Sequence, residues 1–162
     1  MTLWGTEPVP KTPARLALAD RGRQARGMSE TCAVDEDGPQ GELALRISAM
    51  PANTNAAGDI FGGWIMGLMD MAAGSAAHVI ARGRVATVAV SDLVFVRPVK
   101  VGNMISCYTQ LVKIGRTSIT IDVDVWARRG QVDCHERVTK ARFVMVAVDG
   151  EGNPRPVVDA PS

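Results

Sequence analysis

The chain of 162 residues has almost no net charge and no long run of charges of one sign. Its 18 lysines and arginines nearly balance its 17 aspartates and glutamates, which gives a formal net charge of +1. Proteins that bind nucleic acid or an anionic membrane by electrostatics carry a basic patch or stripe instead. The composition therefore argues against nucleic acid and membrane as partners.

Cysteine and histidine are scarce, with three cysteines and two histidines in the whole chain. An odd number of cysteines without CxxC spacing argues against a disulfide framework and fits a reducing cytoplasm. His135 adjoins Cys134, but no second pair is spaced to complete the four ligands of a zinc site. We therefore expect a cytoplasmic protein without a metal site.

The first residues lack the basic and apolar regions of a secretory signal peptide. The stretch 60–81 is close to membrane-spanning length, so it needs a separate check. Asp70 and His78 interrupt it, and glycines and alanines dilute its hydrophobicity. Because a charged residue at the centre of a membrane helix is costly to insert, we expect a buried core helix instead.

The chain divides by composition into one regular domain and two tails. Residues 1–40 are broken by prolines and glycines and have a basic middle, which predicts a flexible or loosely docked tail. Met28, within this tail, is a second candidate for the natural start of translation. Residues 41–150 show regular hydrophobic patterns and form the predicted domain, and 151–162 form a C-terminal tail.

Hydrophobic periodicity in the domain predicts one helix and five strands. The strands fall at about 42–48, 86–96, 104–113, 117–126 and 138–148, and the helix runs from the glycines at 62 and 63 to about Arg82. Gly83 follows at a capping position. The predicted apolar face of the helix is Ile65, Leu68, Met69, Ala72, Ala76, Val79 and Ile80. The order β-α-β-β-β-β predicts an α+β fold, with one long helix against an antiparallel sheet.

One stripe of the predicted helix combines glycines with a single acid. Gly63, Gly67, Asp70 and Gly74 are spaced at i, i+4, i+7 and i+11. Each interior glycine costs a helix about 1 kcal/mol relative to alanine. We therefore expect a partner chain, a ligand or both to approach this stripe closely.

The order of its predicted elements and one sequence motif make the chain resemble the hotdog-fold acyl-CoA thioesterases, most closely their bacterial broad-range acyl-CoA hydrolase branch. The likeness rests on the string Thr54-Asn55-Ala56-Ala57-Gly58-Asp59-Ile60-Phe61-Gly62-Gly63, followed by Met69-Asp70. It covers residues 41–158, with further matches at 94–102, 115–118 and 146–149. The resemblance implies hydrolysis of acyl-CoA to coenzyme A and a carboxylic acid, in fatty acid metabolism and without a cofactor.

The resemblance also implies roles for four residues. Asp70 matches the catalytic carboxylate, which acts as general base toward water or as nucleophile toward the thioester. Asn55 matches an asparagine near the reacting carbonyl or water, and the N–H of Gly62 or Gly63 matches the oxyanion donor. In the family, active sites lie between two protomers, and the dimers commonly assemble into hexamers (trimers of dimers).

Two of these roles have a simpler alternative. Asp70 could be a buried structural acid that bonds a neighbouring strand or stabilises the dimer, and Asn55 could be an ordinary turn residue. Asp59 is a rival catalyst, although an acid before a helix is also a typical cap for exposed N–H groups.

Elementary chemistry supports a shared site if those groups act on one carbonyl. A helix N-terminus offers unpaired N–H groups and partial positive charge to an oxyanion. At 1.5 Å per residue, Asp70 lies about 11–12 Å along the axis from Gly62 and Gly63. One thioester could not contact both groups in a single protomer, so we expect two chains to contribute.

Coenzyme A carries phosphates, which call for basic groups at the mouth of the site. We expect the predicted turn to bind them through Gly115, Arg116, Thr117 and Ser118, with Arg84 as a further contact. Arg97 and Lys100 are other candidates, and each of these cations could equally be a solvated surface charge. Trp64, Met66 and Met104 are candidates to line the acyl pocket.

Two other functions are weighed against hydrolysis. A hotdog dehydratase normally uses a histidine near the loop-to-helix region, where this chain has Phe61. A non-catalytic acyl-CoA sensor needs an output module, and the N-terminal tail is too short and broken for a convincing helix-turn-helix. Hydrolysis is therefore the predicted function, with the sensor as the alternative.

Overall fold

The computed structural model describes residues 38–129 and 134–157, and these form an antiparallel sheet with one long helix. The strands are β1 (Glu42–Ser48), β2 (Val85–Phe95), β3 (Met104–Ile114), β4 (Ser118–Arg129) and β5 (Cys134–Ala147). Their order in the sheet is β1-β3-β4-β5-β2. The predicted α+β class and element order are confirmed, and most of the predicted N-terminal tail lies outside the described residues.

The helix α1 (Gly62–Ala81) packs across the sheet and contacts all five strands. Its buried residues are Ile65, Leu68, Met69, Ala72, Ala73, Ala77 and Ala81. The prediction for Val79 is wrong, since this side chain is 74 % exposed. Alanines, rather than the larger residues, face the sheet in the second half of α1, which places Val79 on the outer side. By length and composition α1 also meets the criteria for a membrane span, which a core helix can do equally well.

The C-terminal end of α1 is not capped in the predicted way. Arg82, not Gly83, adopts the left-handed conformation, with φ of 49°. The Arg155 guanidinium donates to the Ala81 carbonyl at 2.9 Å, so a side chain satisfies one of the terminal carbonyls. A Cβ on Gly83 would lie 2.7 Å from Arg155 Nη2. A side chain at this position would therefore require the Arg155 guanidinium to shift.

The alternation predicted for β4 is confirmed, because its isoleucines and valines at 119, 121, 123 and 125 are all buried. The domain also extends beyond residue 150. The Val157 N–H donates to the Arg116 carbonyl at 2.8 Å, and Val157 is 2 % exposed. Arg155 and Val157, predicted as part of a tail, are thus hydrogen-bonded to the domain.

The strand β2 forms one edge of the sheet and pairs only with β5 among the described strands. Two irregularities interrupt this pairing, between Thr87 and Ala89 and between Ser91 and Val94. Its exposed apolar residues include Val88, Val90, Val94 and Phe95. An unpaired apolar edge is a template for pairing with another chain.

Candidate active site

Asp70 lies on the outer side of α1 and is exposed in the single chain, so it is not an acid of the domain core. The Thr87 hydroxyl donates a hydrogen bond to Asp70 Oδ1 at 2.5 Å. Thr87 Oγ1 also lies 3.3 Å from Met145 Sδ. The pairing irregularity of β2 begins at Thr87, and such bulges re-aim side chains beside active sites. One oxygen of the carboxylate is thereby held by the neighbouring strand.

The glycines of the Asp70 stripe leave open space around the acid. Gly63 and Gly67 are exposed, and a Cβ at either position would meet nothing within 4 Å. Met66 and Met71, on the same side of the helix, are 41 % and 58 % exposed. Nothing within the described chain requires these glycines, so any close approach must come from a molecule outside it.

Asn55 holds the loop that leads into α1. Its side-chain oxygen accepts hydrogen bonds from the N–H groups of Ala57 and Asp59, at 2.9 and 3.1 Å. The Asn55 N–H in turn donates to the Asp59 carbonyl at 2.7 Å. With Oδ1 occupied, the amide can offer only its Nδ2 donor to another molecule. Asn55 is both a turn residue and a possible donor.

The start of α1 has two unpaired backbone donors. Phe61 is the N-cap without a side-chain cap, and within the described residues the N–H groups of Gly62 and Gly63 have no acceptor. Asp59 does not cap the helix; its carboxylate forms an ion pair with Lys100. That ion pair weakens the case for Asp59 as the catalytic acid in place of Asp70. The predicted oxyanion donors are thus free.

Asp70 and the helix start lie toward opposite ends of β2. Asp70 bonds Thr87, near the beginning of the strand, whereas Gly62 lies against Phe95, the last residue of the strand. Asp70 is eight helical positions beyond Gly62, which corresponds to about 12 Å along the axis. A single carbonyl therefore cannot bond both groups of one chain.

The predicted phosphate-binding residues lie at the Thr87 end of the molecule. Val85 pairs with Ala147, whose N–H donates to the Thr117 carbonyl at 2.9 Å. The Arg84 guanidinium bonds the carbonyls of Asp149 and Gly150 at 3.1 and 2.8 Å. The predicted residues Arg84 and 115–118 are therefore neighbours, on the side of the molecule that carries Asp70.

One part of the phosphate prediction needs correction. The Gly115 N–H donates to the Ser118 carbonyl at 2.7 Å within the turn, so it is not available to a ligand. Arg116 is exposed, and Thr117 and Ser118 are partly exposed. The other two basic candidates, Arg97 and Lys100, lie at the opposite end, near Gly62.

The two cysteines that the structure describes are not placed to act as nucleophiles. Cys107 is fully buried, and burial raises the pKa of its thiol to about 12. Cys134 is buried as well, with 8 % of its surface exposed. Across residues 38–129 and 134–157, histidine, cysteine and acidic side chains form no cluster that could hold a metal ion.

Thr87 is the residue of the candidate site that the sequence interpretation missed. It is the only polar residue in the first half of β2, between Val85 and Val90. A lone hydroxyl in a valine-rich strand is a weak signal, because threonine is itself a common strand residue. Only the fold brings it to Asp70, seventeen positions earlier in the chain.

Comparisons with known proteins identify the family of this chain. The family described as the thioesterase superfamily matches residues 57–134. The acyl-CoA thioester hydrolase YciA of Salmonella typhimurium is 50 % identical over 122 residues, which cover 74 % of this chain and 92 % of that protein.

Solved structures give the same result. The hexameric broad specificity acyl-coenzyme A thioesterase HI0827 superposes with a TM-score of 0.71 at 48 % identity, covering 74 % of this chain and 82 % of that one. The hexameric thioesterase y2039 from Yersinia pestis has a TM-score of 0.70 at 49 % identity, covering 76 % and 98 %. The chain belongs to the thioesterase superfamily, as a hotdog-fold acyl-CoA thioesterase.

Proposed function

We propose that this thioesterase hydrolyses acyl-CoA through Asp70 of one protomer and the helix start of a second protomer. The observation that carries the proposal is the exposed Asp70 carboxylate, bonded by Thr87 on a helix face that is open in the single chain. Among the described residues only Oδ1 has a hydrogen-bond partner, so Oδ2 is open to water or substrate. Asp70 keeps one oxygen for chemistry.

Pairing of the edge strand β2 with its copy can bring Asp70 of one protomer close to the helix start of the other. Two copies of β2 can pair antiparallel about a two-fold axis, which closes the edge and covers its exposed valines. Antiparallel pairing runs the beginning of one strand past the end of the other. Thr87 and Asp70 of one protomer then lie toward the partner's Gly62, and the pair of chains has two equivalent sites.

The reaction in this site needs only water. Asp70 removes a proton from a water molecule while the water oxygen bonds to the thioester carbon, and the carbonyl electron pair moves onto oxygen. The unpaired N–H groups at the partner's helix start stabilise that oxyanion. When the carbonyl re-forms, the C–S bond breaks, and the thiolate takes the proton from Asp70.

A second route uses the same residues in a different order. Asp70 attacks the carbonyl directly, expels the thiolate and forms a mixed anhydride that water then hydrolyses. In both routes Thr87 orients the carboxylate and Asn55 donates through Nδ2 to the reacting carbonyl or water. Both routes are complete without a cofactor or a metal ion.

Arg116 is the principal phosphate contact in this proposal. It is exposed, and the hydroxyls of Thr117 and Ser118 follow it on the turn. Arg84 lies beside the turn, although its Nη1 is already engaged with two carbonyls. A flexible pantetheine arm links the phosphates of coenzyme A to its sulfur, so the phosphate contacts need not adjoin the carboxylate.

The proposed assembly is a trimer of dimers acting in the cytoplasm. The similar thioesterases HI0827 and y2039 are hexameric, which supports a homo-oligomer here. The proposed substrate, acyl-CoA, is an intracellular metabolite, and this supports the cytoplasm as the compartment. The two-chain site requires only the dimer.

Release of free thiol from acyl-CoA by the wild type and by Asp70→Asn tests the proposal. The asparagine still accepts the Thr87 hydrogen bond, so we expect normal folding and binding with kcat lowered by about 10²–10⁴. Turnover that persists in Asp70→Asn would refute the role of the carboxylate. Binding of acyl-CoA without any thiol release by the wild type would favour the sensor.

A further inference from the structure

A cavity of about 320 Å³ opens beside the start of α1, and none of the roles proposed so far uses it. Its polar side chains are Asp59, already paired with Lys100, and Arg97, which donates to the Arg137 carbonyl at 2.9 Å. The remaining walls are apolar. They include Ile60, Ile65, Phe95, Val96, Val99 and Val138.

Backbone hydrogen bonds fix the walls of this cavity. The Ile60 N–H donates to the Val99 carbonyl, and the Val96 N–H donates to the Val138 carbonyl, both at 2.9 Å. Val138 itself is 1 % exposed and belongs to the central part of the sheet. The cavity is therefore present in the single chain, as most small-molecule sites are before binding.

The cavity adjoins the unpaired donors at the helix start. Gly62 is part of its lining, and a Cβ on Gly62 would lie 3.4 Å from the Phe95 ring. A thioester whose carbonyl oxygen accepts a hydrogen bond from the Gly62 N–H has two substituents, the acyl chain and the pantetheine arm. Either of them could extend into the cavity. The pantetheine arm carries two amides, which would lose their hydrogen bonds with water against apolar walls. The acyl chain has no such groups.

We infer that this cavity receives the acyl chain, and that Phe95 and Val138 limit the chain length the enzyme accepts. The inference deepens the proposed function and rests on it. Pockets for small ligands span about 300–1,000 Å³, so this one is at the small end and suits short and medium chains rather than long ones. Each methylene accommodated or refused changes kcat/KM by about 10–200-fold.

Two substitutions test the inference in opposite directions, with kcat/KM measured from acetyl-CoA to stearoyl-CoA. Val138→Phe fills the cavity from the sheet, and we expect at least about a tenfold loss on the longest chains that the wild type accepts. Acetyl-CoA should be hydrolysed within about threefold of the wild-type rate, since it does not reach Val138. Phe95→Ala opens the outer wall and should extend activity to longer chains.

Val94→Ala is the matched control. Val94 lies next to Phe95 on the same edge strand and is 64 % exposed, but it does not line the cavity. It should therefore keep the wild-type chain-length profile, and size-exclusion chromatography should show an unchanged oligomer for every variant.

The outcomes separate this inference from the proposed function. If the wild type releases no thiol from any acyl-CoA, both fail together. If it is active, but Phe95→Ala keeps the wild-type chain-length profile, the cavity does not hold the acyl chain and only this inference is overturned. Phe95 is partly exposed, so its truncation is tolerated even if the buried Val138→Phe variant does not fold.

Discussion

The two ends of β2 differ in the chemistry they offer. The end that begins at Val85 carries a carboxylate bonded by Thr87 and lies beside Arg84 and Arg116. The end that finishes at Phe95 carries unpaired N–H groups and an apolar cavity, and its acid, Asp59, is neutralised by Lys100. The first end has a base without an oxyanion donor, and the second has donors without a base. In the proposed function, each end is half of a hydrolytic site.

This division explains why the single chain exposes so much apolar surface. The outward methionines of α1 and the valines of β2 lie between the two half-sites. Surfaces of this kind mark interfaces in proteins of otherwise ordinary composition. In the proposed function, hydrolysis and assembly therefore depend on the same surface, and a monomer is expected to have the residues of the site but no activity.

The strongest effect after loss of Asp70 is expected at Asn55, in the helix-start half. Asn55→Asp keeps the oxygen that holds Ala57 and Asp59, but it removes the Nδ2 donor and adds negative charge. We expect kcat to fall by about 10²–10³, as for the loss of one oxyanion donor. The melting temperature should stay close to that of the wild type, which a steady-state and thermal-unfolding comparison would check. Near-normal kcat would restrict Asn55 to its role in the loop.

A smaller effect is expected at Thr87, in the carboxylate half. Thr87→Val has the same shape without the hydroxyl, and one hydrogen bond to a charged group contributes about 1.5–3 kcal/mol. Because the hydroxyl orients Asp70 without contacting substrate, we expect kcat to fall about tenfold at unchanged KM. Thr87→Ser should restore most of the rate. Equal losses in the serine and valine variants would indicate a packing role instead.

The smallest effect is expected at Arg116. Arg116→Ala should raise KM for acyl-CoA by roughly threefold to tenfold, with kcat unchanged and a weaker dependence on salt. Acyl-pantetheine, which lacks the nucleotide, should show no difference between wild type and variant.

Two other arginines sharpen this test. Arg128→Ala, exposed near the opposite end of β4, is the control and should behave like the wild type. If Arg97→Ala raises KM and Arg116→Ala does not, the phosphates bind at the helix-start end of the molecule and the assignment of the two ends is reversed.

Local patterns in the sequence were sufficient for the fold. Alternating isoleucine and valine in β4 and turn residues between the strands placed the long helix and the five strands to within a few positions. The side of α1 was harder to predict, because alanines and a valine compete for the sheet and periodicity alone favours the larger Val79. The capping arginine, Arg155, could not be foreseen, since it is brought from beyond the last strand by tertiary contacts.

The site residues that belong to a local sequence motif could be predicted, whereas the contacts that depend on the tertiary fold could not. Asp70, Asn55 and the glycines at 62 and 63 belong to one continuous string of residues. The partner of Asp70 is on another element, and the engagement of the Gly115 N–H depends on the geometry of a turn. Contacts between residues that are distant in sequence leave no periodic pattern. The sequence therefore shows which residue types are present but not which of them are paired.

Complementation between two inactive variants tests the shared site most directly. Asp70→Asn and Asn55→Asp disable different halves, and hexamers that contain both chains can be purified through two different affinity tags after coexpression. In a mixed dimer of two-fold symmetry, one site carries both substitutions and the other carries neither. Random pairing makes about half of the dimers mixed, so we predict roughly a quarter of the wild-type activity per hexamer. Mixed hexamers as inactive as either parent would contradict the account, because each site would then be built from one chain.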